Sequence, residues 1–320
     1  MKTNDIAFIC DDNYCMPTAV CIQSIIDNYS LSDKLNIHVC SFGLTEQNVE
    51  KLKRMSNSFV EIIVDLFDVK NFEGQLQIIS QRSHVTPTAL IKFELPNYFT
   101  DLDSLLYMDS DMIVKDDISE LLQMDLCDNY LAASFEFFEY LKRIQYTLKR
   151  SVNENFYFNS GIMLLNLRKM REDNISEKLW DYKLNKATTS LMDQESLNAI
   201  CASRALHLPI KWNFNPLFVN KSFVKYINKV YDLNYASLSN MISDIKVIHY
   251  VGAKDKPWKY QNARMREYWE QSFELTPFAC KLDLSVSKAE ARSLFRIIKD
   301  KIYENGIWGS FCYLIYRLEN

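Results

Sequence analysis

Short apolar runs alternate with amphipathic stretches of helical period along the chain, and this alternation restricts the fold more than any other feature. Residues 6–10, 35–42 and 60–66 are strand-like runs, whereas residues 16–29 and 46–55 carry apolar side chains at the spacing of a helix face. Strands that alternate with helices build parallel β-α-β units. The sequence therefore predicts an α/β fold: a single, twisted, mostly parallel sheet flanked by helices.

The same alternation continues to about residue 250. Further strands are predicted at residues 104–108, 112–114, 131–135, 161–167 and 246–250, and helices at residues 88–99, 176–185, 192–201, 264–273 and 288–303. Beyond Pro257 and Trp258 the pattern predicts helices without strands. We therefore expect an α/β domain at residues 1–260 and a helical C-terminal appendage at residues 261–320.

Charge and cysteine content argue against several classes of protein. The formal net charge is −4, whereas nucleic-acid-binding proteins usually carry a basic face. The eight cysteines include no C-x-x-C pair and several lie in apolar runs, which favours buried free thiols in a reducing cytosol. The N-terminus has no signal-peptide pattern, and no apolar stretch approaches the roughly 18 residues of a membrane span. We expect a cytoplasmic protein, with contact to a membrane surface left open.

Two aspartates, Asp109 and Asp111, stand one residue apart between apolar flanks. In an extended backbone their side chains point to the same side. Neighbouring carboxylates repel each other at neutral pH, and a hard divalent cation such as Mn²⁺ or Mg²⁺ relieves that repulsion. Such an ion would also screen a diphosphate and stabilise it as a leaving group. The alternative is a strand that ends in an ordinary polar turn.

Four other polar segments flank apolar runs, and each has a structural and a functional interpretation. They are Asp11-Asp12-Asn13-Tyr14, Asn159-Ser160-Gly161, Asp193-Gln194, and His249 with Lys254 and Lys256. In an open α/β sheet, ligands bind beyond the carboxyl ends of the strands, where Asp can accept from a base and Tyr can stack on it. Taken singly, the first segment favours an N-capped loop, and a lone histidine is more often a hydrogen-bonded structural residue.

Taken in order along the chain, five motifs resemble those of glycosyltransferase family eight, which includes glycogenin and bacterial lipopolysaccharide galactosyl- and glucosyltransferases. The motifs are Asp11-Asp12-Asn13-Tyr14, Leu106-Tyr107-Met108-Asp109-Ser110-Asp111, Phe156-Tyr157-Phe158-Asn159-Ser160-Gly161-Ile162, Asp193-Gln194-Glu195-Ser196-Leu197-Asn198, and His249-Tyr250-Val251-Gly252 with Lys256-Pro257-Trp258. Together they span about residues 6–260. The resemblance implies a GT-A fold, built on a Rossmann-like nucleotide-binding half.

The resemblance also implies the ligands. It implies a UDP-hexose donor and Mn²⁺, with Mg²⁺ as the alternative ion, and it matches Asp109, Asp111 and His249 to the metal ligands. The residues that it places at the donor nucleotide and its diphosphate are Ile9, Asp11, Asn13, Tyr14, Asp109, Ser110, Asp111, Gly252 and Lys256. The implied acceptor is a glycan, glycolipid or glycoprotein hydroxyl, as in bacterial cell-surface polysaccharide or lipopolysaccharide synthesis, and no nucleic acid is expected.

Around the donor sugar, the resemblance places Asn159, Asp193 and Gln194 as catalytic residues. The family retains the anomeric configuration, which poses the problem of a nucleophile on the far face of the sugar. An amide is a poor nucleophile. We therefore hypothesise that Gln194 stabilises an oxocarbenium-like state while the acceptor hydroxyl attacks from the leaving-group side and the departing β-phosphate takes its proton.

Three positions depart from the family pattern. Lys92 lies in the segment where many relatives carry an arginine. The segment between Gly252 and Pro257 is one residue longer than expected, so Lys254 competes with Lys256 for the diphosphate. Glu136 stands where relatives place an acidic residue near the acceptor or donor sugar.

Two other functions remain as alternatives: a non-catalytic UDP-sugar-binding protein and a nucleotidyltransferase. The Asp193-Gln194 pair beside the three expected metal ligands argues against the first. The second usually needs a Gly-rich, basic loop for a triphosphate, and residues 9–14 contain none.

The C-terminal appendage mixes basic and aromatic residues, so it either docks on anionic lipid or packs on the core. These residues are Lys288, Arg292, Phe295, Arg296, Lys299, Lys301, Trp308, Phe311, Tyr313 and Tyr316.

Overall fold

The computed structural model describes residues 3–68, 87–136, 157–185, 193–219, 221–252, 256–280, 282, 284 and 285. Its strands are β1 (Thr3–Ile9), β2 (Lys34–Ser41), β3 (Val60–Leu66), β4 (Ser104–Met108), β5 (Met112–Val114), β6 (Leu131–Phe135), β7 (Phe158–Asn166), β8 (Ala205–Leu208) and β9 (Val247–His249). Its α-helices are α1 (Cys15–Asn28), α2 (Glu46–Lys53), α3 (Leu95–Tyr98), α4 (Ser119–Leu122), α5 (Leu167–Glu172), α6 (Ile175–Asn185), α7 (Gln194–Cys201), α8 (Lys221–Tyr231), α9 (Leu238–Asp244) and α10 (Arg266–Phe273). Short 3-10 helices lie at Asp12–Tyr14, Pro87–Phe93, Ala202–Arg204, Ile210–Trp212 and Pro216–Phe218.

A seven-stranded sheet forms the centre of the fold, in the order β3-β2-β1-β4-β7-β6-β8. β1 pairs in parallel with β2 and β4, β2 pairs in parallel with β3, and β6 pairs in parallel with β8. Only β7 is reversed, antiparallel to both β4 and β6. β5 and β9 form a separate antiparallel pair beside this sheet. The sheet is mostly parallel, as the sequence predicts.

The observed elements confirm the predicted strands within a few residues and add one strand, β8, and four helices, α4, α5, α8 and α9, that the sequence pattern does not predict. β8 is a short edge strand with most of its residues only partly buried, so it shows no apolar run. α8 buries Val224 and Ile227, and α9 buries Met241. The predicted helix at 88–99 is divided into the 3-10 helix Pro87–Phe93 and α3, and Pro96 lies in the first turn of α3, where its missing N–H costs nothing.

Each face of the sheet is buried under its own hydrophobic cluster. Along β1, Ile6 and Phe8 belong to one cluster and Ala7 and Ile9 to the other. Successive side chains of a strand point to opposite faces, so a strand that is covered on both sides must be apolar throughout. This is the physical reason that the strands of the central sheet appear in the sequence as continuous apolar runs.

A polar network crosses the first three strands. The His38 ring lies between two carboxylates, with Nε2 3.2 Å from Asp5 Oδ1 and Nδ1 3.0 Å from Asp65 Oδ2. Burial alone would lower the pKa of His38, but the hydrogen bonds and charges of Asp5 and Asp65 outweigh it and raise that pKa to about 9. Tyr98 donates from its hydroxyl to Asp65, 2.9 Å away. The network therefore ties β1, β2 and β3 to α3.

The described part of the C-terminal region packs on the main core. α10 lies against α1, and its Trp269 and Phe273 belong to the same cluster as Phe8. The domain boundary near residue 260 stays a prediction, and the predicted helix at 288–303, with its proposed membrane contact, lies outside the described residues. Within the described residues, no helix combines the length and apolarity that crossing a bilayer requires.

The described cysteines all carry free thiols, most of them buried, as predicted.

Candidate active site and metal centre

Four strand ends bring the predicted site residues to one edge of the sheet. β1 and β4 run in parallel, with Phe8 opposite the last residue of β4, Met108, so the loops that follow them are neighbours. The reversed strand β7 begins at the same edge, and its Ile162 pairs with Met108. β9 pairs with β5 through Met112 and His249, which brings the histidine to the turn between β4 and β5. Residues that are far apart in sequence therefore meet where an open α/β sheet binds its ligands.

The two aspartates lie on a turn, and the expectation of an extended Asp109–Asp111 backbone is wrong. β4 ends at Met108, and residues 110 and 111 form a turn before β5 begins. Asp109 N donates to Gly161 O over 2.7 Å, and Tyr250 N donates to Asp111 O over 2.9 Å. These backbone bonds to β7 and to the residue after β9 hold the turn in place. The carboxylates still converge, because the turn is fixed from both sides.

Asp109, Asp111 and His249 form a group that can hold a divalent metal. One oxygen of each carboxylate and one ring nitrogen lie within 4.8 Å of one another. His249 Nε2 is 3.2 Å from Asp111 Oδ1 and 3.9 Å from Asp109 Oδ2, and the ring is buried. Two carboxylate oxygens and one imidazole nitrogen are a donor set that suits Mn²⁺. The residues present therefore fit the ion that the sequence predicts.

A buried lysine, Lys92, stabilises the acidic cluster from one side. Its ammonium group lies 2.7 Å from Asp193 Oδ2 and 3.2 Å from Asp109 Oδ1, and it also donates to Ser160 O over 3.3 Å. Burial alone would lower the pKa of Lys92, but Asp109 and Asp193 outweigh it and raise that pKa. Burial raises the pKa of Asp109 in spite of the lysine, and the Tyr107 hydroxyl donates to Asp109 Oδ1 over 2.5 Å. Lys92 is therefore a fixed cation between the metal ligands and α7.

A second buried lysine, Lys256, lies on the other side of the cluster. Its ammonium group donates to Asp111 Oδ2 and, over 2.8 Å, to Tyr250 O. Burial alone would raise the pKa of Asp111, but His249 and Lys256 outweigh it and hold that pKa far below its usual range. Gly252 precedes this lysine at φ 89°, a conformation that other residues rarely adopt. Lys254 lies outside the described residues, so the structure places Lys256 at the acidic turn and leaves Lys254 as a prediction.

The residues expected at the donor sugar share hydrogen bonds with Glu136. Gln194 Nε2 and Asn159 Nδ2 both donate to Glu136 Oε2, over 2.8 and 2.9 Å. Gln194 Oε1 accepts from the backbone N–H of Ser160 over 3.1 Å. Asp193, at the start of α7, accepts from the Ser160 hydroxyl over 2.9 Å as well as from Lys92. The structure therefore brings Asn159, Asp193 and Gln194 together, and it brings Glu136 into the same group.

The loop after β1 has the local structure of a capped turn. Asp11 Oδ1 accepts from Tyr14 N over 3.0 Å and caps the 3-10 helix Asp12–Tyr14. Asp12 instead faces α2, where Thr45 N and Asn48 Nδ2 each donate to its Oδ1 over 2.8 Å. Asn13 is exposed. The Asp11 segment therefore forms the N-capped loop that its sequence favours when it is considered singly. The cap uses one oxygen of Asp11 and leaves Asn13 exposed.

Three of the remaining predicted residues, Ile9, Ser110 and Tyr14, connect the β1 loop to the rest of the site. Ser110 accepts a hydrogen bond from Thr18 Oγ1 over 2.8 Å and lies 3.5 Å from the carbonyl oxygen of Ile9. The Tyr14 ring packs edge-on against Trp258, with ring centroids 6.0 Å apart. Ile9 and Ser110 therefore join the β1 loop to the acidic turn, and Tyr14 joins it to the segment that carries Lys256.

One residue of the site was not predicted by any sequence motif. Asn213 follows the 3-10 helix Ile210–Trp212, and its side-chain oxygen lies 2.8 Å from His249 Nδ1. Its side-chain nitrogen donates to Asn159 Oδ1 over 2.9 Å. An asparagine in an irregular segment gives no periodic or motif signal, so only the tertiary structure reveals its position.

The sequence is similar to known glycosyltransferases along most of its length. The family model described as Glycosyl transferase family 8 matches residues 5–262. A lipopolysaccharide 1,2-glucosyltransferase of Escherichia coli is 26% identical over 330 aligned residues, which cover 99% of this chain and 92% of that protein. A lipopolysaccharide 1,3-galactosyltransferase of Salmonella typhimurium is 25% identical over 318 residues, which cover 95% of this chain and 88% of that protein.

Solved structures show the same architecture. The galactosyltransferase LgtC, crystallised with donor and acceptor sugar analogues, matches with a TM-score of 0.66 at 23% identity, over 87% of this chain and 98% of its own. At this level of identity the likeness establishes the fold. It confirms the GT-A fold class predicted from the sequence.

Proposed function

Because the chain belongs to glycosyl transferase family 8, we propose that it is a retaining hexosyltransferase that moves galactose or glucose from a UDP-sugar to an acceptor hydroxyl. The observation that carries the proposal is the Asp109–Asp111–His249 group at the carboxyl ends of β1 and β4, which Lys92 joins to Asp193 at the start of α7. The acceptor class is a glycan, glycolipid or glycoprotein. By analogy with the two lipopolysaccharide enzymes, the reaction takes place in the cytoplasm and serves cell-surface polysaccharide or lipopolysaccharide synthesis.

Asp109, Asp111 and His249 would hold Mn²⁺, and Mg²⁺ is the alternative ion. When bound, the ion would supply positive charge to the diphosphate and stabilise it as a leaving group. Lys256 already lies at the acidic turn, where its ammonium group can neutralise a phosphate oxygen. In this cluster Lys92 pairs with Asp193 and Asp109, and Lys256 pairs with Asp111. Such a concentration of charges of both signs supports a site for a ligand that is itself highly charged.

At the other end of the donor, Asp11, Asn13 and Tyr14 would bind the uridine. Asp11 keeps one oxygen on the backbone N–H of Tyr14, so its second oxygen can accept from the base. Tyr14 presents a partly buried ring beside Trp258, a surface on which a base can stack. These roles place the nucleotide against β1 and the sugar toward α7.

Gln194 would stabilise the positive charge that develops on the sugar. Its Nε2 donates to the carboxylate of Glu136, which leaves its Oε1, held by Ser160 N, as the electron-rich end of the amide. An oxygen fixed in this way stabilises an oxocarbenium-like state without reorganisation. The acceptor hydroxyl would attack from the leaving-group face and give its proton to the departing β-phosphate, so that the anomeric configuration is retained.

Replacement of Gln194 by alanine tests this role. We expect Gln194→Ala to lower kcat by about 100-fold, the usual effect of removing one fixed dipole from a transition state, with a smaller change in the KM for the donor. Steady-state kinetics at saturating acceptor measures both constants. The matched control is Gln23→Ala on the exposed side of α1, where Gln23 bonds only Asp27 among the described contacts. Full kcat in Gln194→Ala would refute the proposed role.

A donor panel tests the proposed function as a whole. UDP-glucose, UDP-galactose and their N-acetylated counterparts are incubated with the protein and Mn²⁺, without acceptor, and released UDP is measured. We expect slow, metal-dependent UDP release from at least one hexose donor, because water can replace the acceptor. Binding of a UDP-sugar without release would indicate a non-catalytic binding protein. Release of pyrophosphate from a nucleoside triphosphate would indicate a nucleotidyltransferase.

A further inference from the structure

Asn213 joins the expected metal ligand His249 to the donor-sugar pocket through two hydrogen bonds. Its Oδ1 lies 2.8 Å from His249 Nδ1, and its Nδ2 donates to Asn159 Oδ1 over 2.9 Å. Asn159 in turn bonds Glu136, which also accepts from Gln194. A continuous series of hydrogen bonds therefore runs from Gln194 through Glu136, Asn159 and Asn213 to His249, and Asn213 is the member that bonds the expected metal ligand.

Neighbouring groups fix the orientation of the Asn159 side-chain amide, and through it that of Asn213. The backbone N–H of Gly161 can only donate, and it donates to Asn159 Oδ1 over 3.0 Å. The Oε2 atom of Glu136 accepts from Asn159 Nδ2 and also from Gln194 Nε2. Asn159 therefore presents an acceptor to Asn213, so Asn213 must turn its Nδ2 toward Asn159 and its Oδ1 toward His249. The reverse orientation would bring two oxygens together.

The orientation of Asn213 determines the state of the imidazole. An acceptor at Nδ1 requires the proton on that nitrogen. The Nε2 of the ring faces the carboxylates of Asp109 and Asp111, 3.9 and 3.2 Å away, and in the neutral Nδ1–H tautomer it is the nitrogen whose lone pair can bind a metal. A metal-binding histidine commonly has its other nitrogen bonded in this manner.

We propose that Asn213 is a positioning residue that holds the Nδ1–H tautomer of His249 for metal binding and couples that ring to Asn159 in the sugar pocket. The proposal rests on the Mn²⁺ site of the proposed function. Partners of this kind typically change metal affinity by about 10- to 100-fold. The two hydrogen bonds of Asn213 have separate effects: the bond to His249 governs metal affinity, and the bond to Asn159 governs use of the donor.

Two substitutions separate these effects, with Mn²⁺ alone as the probe. Asn213→Ala removes both bonds, and we expect it to raise the Kd for Mn²⁺ about 10- to 100-fold, measured by electron paramagnetic resonance of the free ion. Asn213→Asp keeps an acceptor for His249 Nδ1–H, so its Kd should stay within about 3-fold of wild type. The aspartate cannot donate to Asn159 Oδ1, so kcat/KM for the UDP-sugar should fall by about 10-fold or more in this variant.

Controls distinguish this inference from a structural role and from failure of the proposed function. Asn228→Ala removes a comparable pair of bonds, to the backbone of Tyr235, and should leave both readouts unchanged. Equal losses of Mn²⁺ affinity in Asn213→Ala and Asn213→Asp, or no loss in Asn213→Ala, would overturn the inference. If Asn213→Ala does not fold, Asn213→Asp decides alone: retained affinity with impaired donor use supports the inference, and loss of both overturns it. A wild-type protein that binds Mn²⁺ no better than Asp111→Asn would refute the proposed function itself, and this inference with it.

Discussion

Asp111→Asn is expected to lower metal-dependent UDP release by about 1,000-fold or more while the protein remains folded. The change removes a carboxylate ligand and leaves an amide, which binds a divalent cation weakly. It also removes the anion between His249 and Lys256, the two groups that hold the pKa of Asp111 far below its usual range. UDP release with Mn²⁺ and a hexose donor measures the loss, and circular dichroism with a thermal unfolding curve measures the fold.

The fold should survive because the backbone contacts of this turn do not involve the side chain. Tyr250 N donates to the carbonyl oxygen of Asp111, and that bond is kept in the asparagine variant. Asp116→Asn is the matched control: Asp116 pairs with Lys246 at the surface, 2.5 Å away, beyond the end of the β5–β9 pair opposite to His249. We expect normal UDP release from the control. Release above about a tenth of the wild-type rate in Asp111→Asn would contradict the assignment of Asp111 as a ligand.

The central sheet could be predicted from the sequence because its strands are buried on both faces. β1 sends Ile6 and Phe8 to one hydrophobic cluster and Ala7 and Ile9 to the other, so the strand appears as an unbroken apolar run. β8 lies at the edge and buries only Leu208 fully, so the same physical rule gives no signal there. Burial on both faces, rather than strand propensity, decides which strands the sequence reveals.

The candidate site could be predicted in part for a different reason. Asp109 and Asp111 are neighbours in sequence, and their mutual repulsion in an apolar setting already indicates a cation. Their geometry could not be predicted, since the turn is held by Gly161 and Tyr250, which belong to other parts of the chain. Local electrostatics therefore indicates the candidate ligands, and long-range backbone bonds determine their arrangement.

The contacts of residues that act through other residues could not be predicted from the sequence. Lys92 bonds Asp193 across 101 positions, and Asn213 bonds His249 across 36. Lys92 stands in the segment where many relatives carry an arginine, and in the structure its ammonium group is bonded to Asp109 and Asp193. These contacts depend on which segments meet in space, so they could not be predicted from the composition of the sequence or from the spacing of its residues.

Gly161→Ala is expected to impair the proposed metal site by displacing His249, whereas Asp111→Asn acts on a carboxylate. A Cβ at this position would lie 2.3 Å from His249 Cε1 and 2.9 Å from Asn159 Oδ1, both closer than van der Waals contact allows. The His249 ring is buried and bonded to Asn213, so it cannot yield without leaving Asp109 and Asp111. We expect kcat/KM to fall by about 100-fold or more, Mn²⁺ affinity to fall by about 10-fold or more, and stability to fall by about 1–3 kcal/mol from overpacking.

A double-mutant cycle shows whether the added methyl group acts through His249. In a His249→Ala background the ring is absent, so Gly161→Ala should cause little further loss of Mn²⁺ affinity, and the two effects should be strongly non-additive. Gly43→Ala is the matched control, because a Cβ there meets nothing within 4 Å and the backbone is not in the left-handed region. Additive losses, or an active Gly161→Ala enzyme with normal Mn²⁺ affinity, would show that His249 does not depend on the space that this glycine provides. Non-additive losses would show that the Asn159-Ser160-Gly161 segment serves the metal centre through its glycine as well as the sugar pocket through its asparagine.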